Sequence, residues 1–203
     1  WFHAAEDSAP DAARIARVVT GTSVGGVVSG GGARAYAHIG VVQALHDARV
    51  PFDFVGGASM GAVIGAGPAL GWTDDELDAR IRHAFVRSDP LSDIAFPIVA
   101  MTRARKVERL LQDAYGEVLI EDMPLPFFCT SSNLTSGQVQ IHRRGLLRQA
   151  MRASISIPGV MPPVVMNDQV LVDGAVVKNF PAEIMRQINS GPIIGSDVSQ
   201  TRG

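Results

Sequence analysis

The segment Gly57-Ala58-Ser59-Met60-Gly61 leaves this chain the fewest folds. An apolar run, Phe52 to Val55, precedes it, and a run of small, helix-compatible residues, Ala62 to Leu70, follows it. A G-x-S-x-G between a strand and a helix has the form of a nucleophile elbow, in which a sharp turn lifts a serine hydroxyl out of a sheet at a helix N-terminus. Small flanking residues let the backbone bend that tightly. In a chain with 21 glycines the pattern alone is weak, so its neighbours have to carry the argument.

Those neighbours alternate between strand and helix signals. Ser23 to Ser29 reads as a buried strand that runs into Gly30-Gly31-Gly32 and then a helix over about Ala35 to Ala48, with Ile39, Val42 and Leu45 on one face. Helices are expected at Asp11–Val18, Asp74–Val86 (capped by Thr73 or Asp74), Arg105–Ala114, Leu146–Ala153 and Pro181–Ile188. Gly116 is a natural stop for the third of these, and irregular structure is expected around Pro90 and Pro97. Strands are expected at Phe127–Ser131 and Val139–His142, at Val164–Met166 and Gln169–Val172 turning at Asn167-Asp168, and at Pro192–Val198. This order implies a mostly parallel sheet covered on both faces. The expected organisation is a linker and short helix over 1–21, then one α/β domain over 22–203.

Composition narrows the classes. The 203 residues suit one domain with a sizeable core. A net charge of −2 gives no argument for nucleic acid. No apolar run reaches the length of a membrane span, and no signal peptide is visible, so the expected location is cytoplasmic or peripheral to a membrane. The one cysteine, Cys129, lies in an apolar stretch and reads as a small buried hydrophobe. No metal or organic cofactor is expected.

The glycine loop has two readings. Gly30, Gly32 and Ala35 formally satisfy a dinucleotide fingerprint, and Asp53 lies at about the right distance for its acidic partner. Yet Asp53 begins the second strand instead of closing it. An oxyanion hole accounts for the loop better, because N–H donors at one strand end then sit beside a nucleophile at the next. For the base, only His83 and His142 follow Ser59. His142, with an early acid such as Asp74, Asp93 or Asp122, would serve a hydrolase-type triad, but its place before Arg143-Arg144 suggests a surface residue. A base without histidine is the other route. Asp173, ending an apolar strand before Gly174, is the best candidate, provided that burial raises its basicity.

Three stretches carry a resemblance. They are Ser29-Gly30-Gly31-Gly32-Ala33-Arg34-Ala35-Tyr36-Ala37-His38-Ile39-Gly40-Val41 with Gly57 to Gly61, Ala153 to Pro163 (ASISIPGVMPP), and Asp173-Gly174-Ala175. Together they resemble the patatin-like phospholipases over about residues 18 to 200. Ala16 to Gly21 and Ile120-Glu121-Asp122 resemble the bacterial neuropathy-target-esterase-like branch. The resemblance implies a three-layer α/β/α sandwich and a Ser59–Asp173 dyad. It implies an oxyanion hole from the backbone of Gly31, Gly32 and Ala33, with Arg34 ordering the loop or meeting a phosphate. Ala35 departs from the family's usual glycine. The resemblance also implies that both ends of the chain are cut. In that branch cyclic-nucleotide-binding modules often precede the catalytic domain, and none is visible in this sequence.

The expected activity is therefore that of a serine esterase, a carboxylic ester hydrolase acting on lysophospholipids or phospholipids at a membrane surface through an acyl-serine. An acyltransferase using the same dyad and a non-catalytic lipid-binding module are the alternatives. Arg103, Arg105, Lys106 and Arg109 form a basic cluster, read first as a solvated helix face and otherwise as a contact for anionic headgroups. Met60, Met101, Met161 and Met166 are core filling or the lining of an acyl channel.

Overall fold

The computed structural model describes residues 8–87 and 97–199, and the side chains of all these except 85–87 and 97–103. His3, Pro90 and Asp93 lie outside the described residues, as do the side chains of Met101 and Arg103. In chain order the elements are α1 (Ala9–Val19), β1 (Gly25–Val28), α2 (Ala37–Asp47), β2 (Phe54–Ala58), α3 (Ser59–Ala69) and α4 (Asp74–Ile81). There follow α5 (Pro97–Tyr115), β3 (Phe127–Asn133), β4 (Gln138–His142), α6 (Leu147–Ser154), β5 (Val164–Met166), β6 (Gln169–Asp173), α7 (Ala182–Ile188) and β7 (Ile193–Ser196).

One mixed sheet runs β5-β6-β3-β2-β1-β7, with β4 also paired to β3. Its centre is parallel: β1 pairs with β2 and β7, and β2 with β3. The β3–β4, β3–β6 and β5–β6 pairings are antiparallel. Adjacent strand residues point to opposite layers. Val55, Phe127 and Cys129 enter a large core with Ile39, Ile64 and Leu111 from α2, α3 and α5. Phe54 and Phe128 enter a smaller core with Ile184 and Met185 of α7, and Val18 of α1 packs on it. This is the expected three-layer sandwich.

Several boundaries move, each for a local reason. Gly32–Tyr36 winds as a 3-10 turn, so α2 starts only at Ala37. Strand β2 continues through Gly56 and Gly57 to Ala58, because a parallel strand buried on both faces needs little intrinsic propensity. Pro97, expected in irregular structure, instead opens α5, where a first-turn proline sacrifices no hydrogen bond. Thr73 caps α4 in a reciprocal capping box with Glu76. The β5–β6 turn takes left-handed Asn167 (φ 51°) and Asp168 (φ 59°), as a two-residue hairpin requires.

Candidate active site

The register around β3 builds the site. Strand β4 lies along one edge of β3 from Cys129 to Asn133. The other edge is shared: β2 pairs with it up to Ala58 opposite Thr130, and β6 pairs with it from Asp173 opposite Ser131. Two strands arriving from opposite directions therefore end against adjacent residues of β3. The residue leaving β2 is Ser59, and the last residue of β6 is Asp173. Topology alone brings them together from 114 residues apart, and Ser59 Oγ donates to Asp173 Oδ2 at 2.6 Å.

Ser59 holds a left-handed backbone (φ 51°), uncommon for a residue with a side chain and typical of a strained elbow. A relay of two hydrogen bonds holds it. Its N–H donates to Ser154 Oγ at 2.9 Å, and that hydroxyl donates to the Thr130 carbonyl at 2.7 Å. At Gly61 a Cβ would fall 2.2 Å from the Ser29 carbonyl oxygen, so only glycine lets α3 begin this close to the end of β1. Gly57 lies within β2.

Asp173 is 3% exposed. Burial pushes its carboxyl above the usual carboxylate range, opposed by hydrogen bonds from Ser59 and from the Ala175 N–H. The Ala175 N–H reaches Oδ1 at 2.8 Å, so each carboxylate oxygen has its own donor. The Asp173 N–H donates to the Ser156 carbonyl. Gly174 begins the 3-10 turn Gly174–Val176 that follows Asp173.

The glycine loop lies against Ser59. Gly30 exchanges hydrogen bonds with Asn179: its N–H donates to the Asn179 carbonyl at 3.3 Å, and Asn179 Nδ2 donates to the Gly30 carbonyl at 3.1 Å. The Gly31 carbonyl accepts from the Arg34 N–H at 3.1 Å, closing the 3-10 turn. The N–H groups in the first turn of such a helix have no intrahelical acceptor. Gly32 has φ +54°, and a Cβ there would point into open space. Gly31 and Gly32 are half-buried and Ala33 and Arg34 exposed, whereas Ala35 is fully buried beneath the turn. The loop approaches the serine closely: a Cβ on Gly30 would fall 2.9 Å from Ser59 Cβ.

The rival readings lose their geometry. Asp53, the acidic partner for a dinucleotide, is fully buried at the start of β2 and paired with Arg17 at 2.7 Å, at the opposite end of the strand from the glycine loop. His142 is buried, against its expected surface position, because β4 turns it inward. Its Nε2 lies 2.8 Å from Ser131 Oγ, and burial lowers its pKa to about 4. Met60 and Met161 pack in the large core. No group of histidine, cysteine and carboxylate side chains among the described residues could hold a metal ion, and no described helix is long and apolar enough to cross a membrane.

Sequence reading missed Ser154 and Asn179. Both are distant along the chain from the groups they bond, and only the register of β3 and the return of the segment after Asp173 bring Ser154 to Ser59 and Asn179 to Gly30. Ser154 lay within the ASISIPGVMPP stretch, and Asn179 lay just before Pro181, with no local pattern to announce a contact.

Comparison with known proteins gives the family. An NTE family protein of Mycobacterium tuberculosis is 45% identical over 187 residues, which cover 92% of this chain and 32% of the relative. The neuropathy target esterase sws of Drosophila melanogaster is 36% identical, covering 93% of this chain and 14% of its own. A lysophospholipase of Mycosarcoma maydis is 36% identical, covering 94% of this chain and 10% of its own. The chain thus spans about a third or less of these relatives. The crystal structure of VipD from Legionella pneumophila superposes with a TM-score of 0.59 at 13% identity, covering 89% of this chain and 51% of that one, a likeness of fold. A family model described as patatin-like phospholipase matches residues 26–186, a span that holds the glycine loop, Ser59 and Asp173, and the chain belongs to that family.

Proposed function

We propose that this chain is a lipid-ester hydrolase of lysophospholipase or phospholipase type, working through Ser59 and Asp173. The observation that carries the reading is the 2.6 Å hydrogen bond between the hydroxyl of a serine with a strained backbone and a buried carboxylate that has no cationic partner among the described residues. The names of the neuropathy-target-esterase and lysophospholipase relatives favour a single-chain phospholipid as substrate.

In this mechanism Asp173 accepts the Ser59 proton as Oγ attacks the ester carbonyl. The oxyanion of the tetrahedral intermediate takes donors from the backbone of Gly31, Gly32 and Ala33. Collapse expels the alcohol, protonated by Asp173, and leaves an acyl-serine. Water then attacks, again giving its proton to Asp173, which passes it to Ser59 Oγ as the acyl–oxygen bond breaks and the fatty acid departs. The raised basicity of Asp173 suits proton transfer, since a carboxyl of ordinary pKa is a poor base for a hydroxyl. The oxyanion donors are backbone groups, so they need no side chain that titrates. Arg34 stands on the exposed side of the turn, where it orders the loop or meets a substrate phosphate.

The test is a panel of phospholipids and lysophospholipids incubated with the protein and with Ser59→Ala, the products read by mass spectrometry. Release of free fatty acid from a single-chain phospholipid by the parent alone is the expected result. Acyl transfer to an added alcohol without net hydrolysis would replace hydrolase by acyltransferase. No turnover by either protein would leave the lipid-binding alternative.

A further inference from the structure

A cavity lies outside the dyad, between α5, α6 and the β5–β6 hairpin. It is a groove of about 920 Å³, within the range of small-ligand sites. Neither Ser59 nor Asp173 lines it. Two helices each present an arginine pair at i,i+4 spacing, which places both members on one helix face: Arg105 and Arg109 on α5, Arg148 and Arg152 on α6. The opposite wall is apolar, formed by Pro162, Pro163 and Val164 to Met166, with Val165 71% exposed.

The arginines are not equivalent. Arg148 is occupied by Glu117 and the Gly116 carbonyl. Arg152 is buried, its side chain 7% exposed. It donates to Ser156 Oγ and the Pro162 carbonyl, and its Nε faces Glu108 Oε1 in an ion pair at 3.5 Å. Arg105 and Arg109 are exposed at the groove mouth and make no ion pair among the described residues. Among the described residues Glu108 is the one acidic lining residue, so their guanidinium charge exceeds their carboxylate charge. Guanidinium groups match a phosphate with parallel N–H donors, whereas an apolar wall beside them matches alkyl. Water satisfies the first half of this lining, not the second.

We propose that the groove binds a phosphate-bearing single-chain lipid, with the phosphate on Arg105 and Arg109 over Arg152 and the alkyl chain along Val164 to Met166. The choice of ligand rests on the lysophospholipid reading above, while the binding itself does not require catalysis. The site shares its walls with the dyad: α6 also carries Ser154, and the hairpin ends in Asp173.

The experiment uses Ser59→Ala, which cannot cleave the ligand, and calorimetric titration below the critical micelle concentration. Three probes are compared: an ether-linked lysophosphatidic acid, its uncharged monoalkylglycerol analogue, and inorganic phosphate. The phosphate lipid should bind at least tenfold tighter than either of the others. Adding Arg105→Gln and Arg109→Gln should cost at least tenfold in that affinity at an unchanged melting temperature. Equal affinity for the uncharged analogue, equal affinity for inorganic phosphate, or undiminished binding by the variant each overturns the proposal. If the variant melts early, the parent decides: affinity that does not weaken with added salt overturns it too. Ester turnover by the Ser59 enzyme is assayed separately, so loss of one reading is not mistaken for loss of the other.

Discussion

Two aspartates, Asp53 and Asp173, occupy opposite ends of the sheet, and both are almost wholly buried. Asp53, just before β2, receives three contacts from the Arg17 guanidinium and a fourth bond from the Val24 N–H. Asp173, opposite the other end of that strand, receives one hydroxyl and one backbone N–H, and no cation among the described residues. A buried carboxylate with a bidentate guanidinium is a tie between α1 and the sheet. A buried carboxylate held only by neutral donors keeps an unpaid desolvation cost, which leaves it a stronger base. Burial is shared; compensation separates the aspartate tied to a helix from the one proposed as the base.

The strongest way to break this contrast is Asp173→Asn. Asparagine keeps the shape and an acceptor for Ala175 but cannot take a proton, so turnover should fall by about 10²–10⁴-fold while the protein still folds. Parental rates in a folded variant would assign the base elsewhere, with His142 the first to examine. Next is Gly32→Val, which puts a branched side chain at φ +54° and into the space beside the donors. Turnover should fall by about 10²–10³-fold; a lowered melting point with unchanged turnover per folded molecule would make the loop a packing turn. The counterpart is Asp53→Asn. Breaking its pair should cost about 1–3 kcal/mol in denaturant unfolding, moderated because Arg17 is 30% exposed, with turnover per folded molecule intact. A catalytic defect at constant stability would contradict the division.

The smallest effect is a pH dependence of stability. A carboxyl whose pKa is raised in the folded state binds its proton more tightly there than when unfolded. It therefore costs stability as pH rises from its ordinary value, 3.8, through its raised one, and costs nothing below both. Asp173→Asn should remove that cost, so the variant should melt higher than the parent at neutral pH and converge with it in acid. A variant that melts lower at neutral pH would mean that Asp173 is ionised at no penalty.

Ser59 and Asp173 were legible because each stands in a short glycine-marked pattern at a strand end, where local sequence decides the backbone. The contrast between the aspartates was not. Asp53 and Arg17 are 36 residues apart, and neither sequence neighbourhood announces the pair. The extension of β2 through Gly56 and Gly57 was hidden for a related reason: glycine disfavours strands, but the Phe128 ring occupies the space over Gly56, where a Cβ would fall 2.2 Å from it. His142 looked like a surface residue beside two arginines, yet pairing with β3 turns it inward onto Ser131. Long-range register, not local propensity, decided all three.

The central claim is that Ser59 is the nucleophile and Asp173 the group that activates it. Fluorophosphonate labelling, followed by peptide mass spectrometry across a pH series in the parent, Ser59→Ala and Asp173→Asn, tests it most directly. The account predicts one adduct, on Ser59, absent from Ser59→Ala, formed about 10²-fold or more slowly in Asp173→Asn, and slowing in the parent as acid protonates Asp173. An adduct that persists in Ser59→Ala, or one that forms at the parental rate in Asp173→Asn, would contradict it.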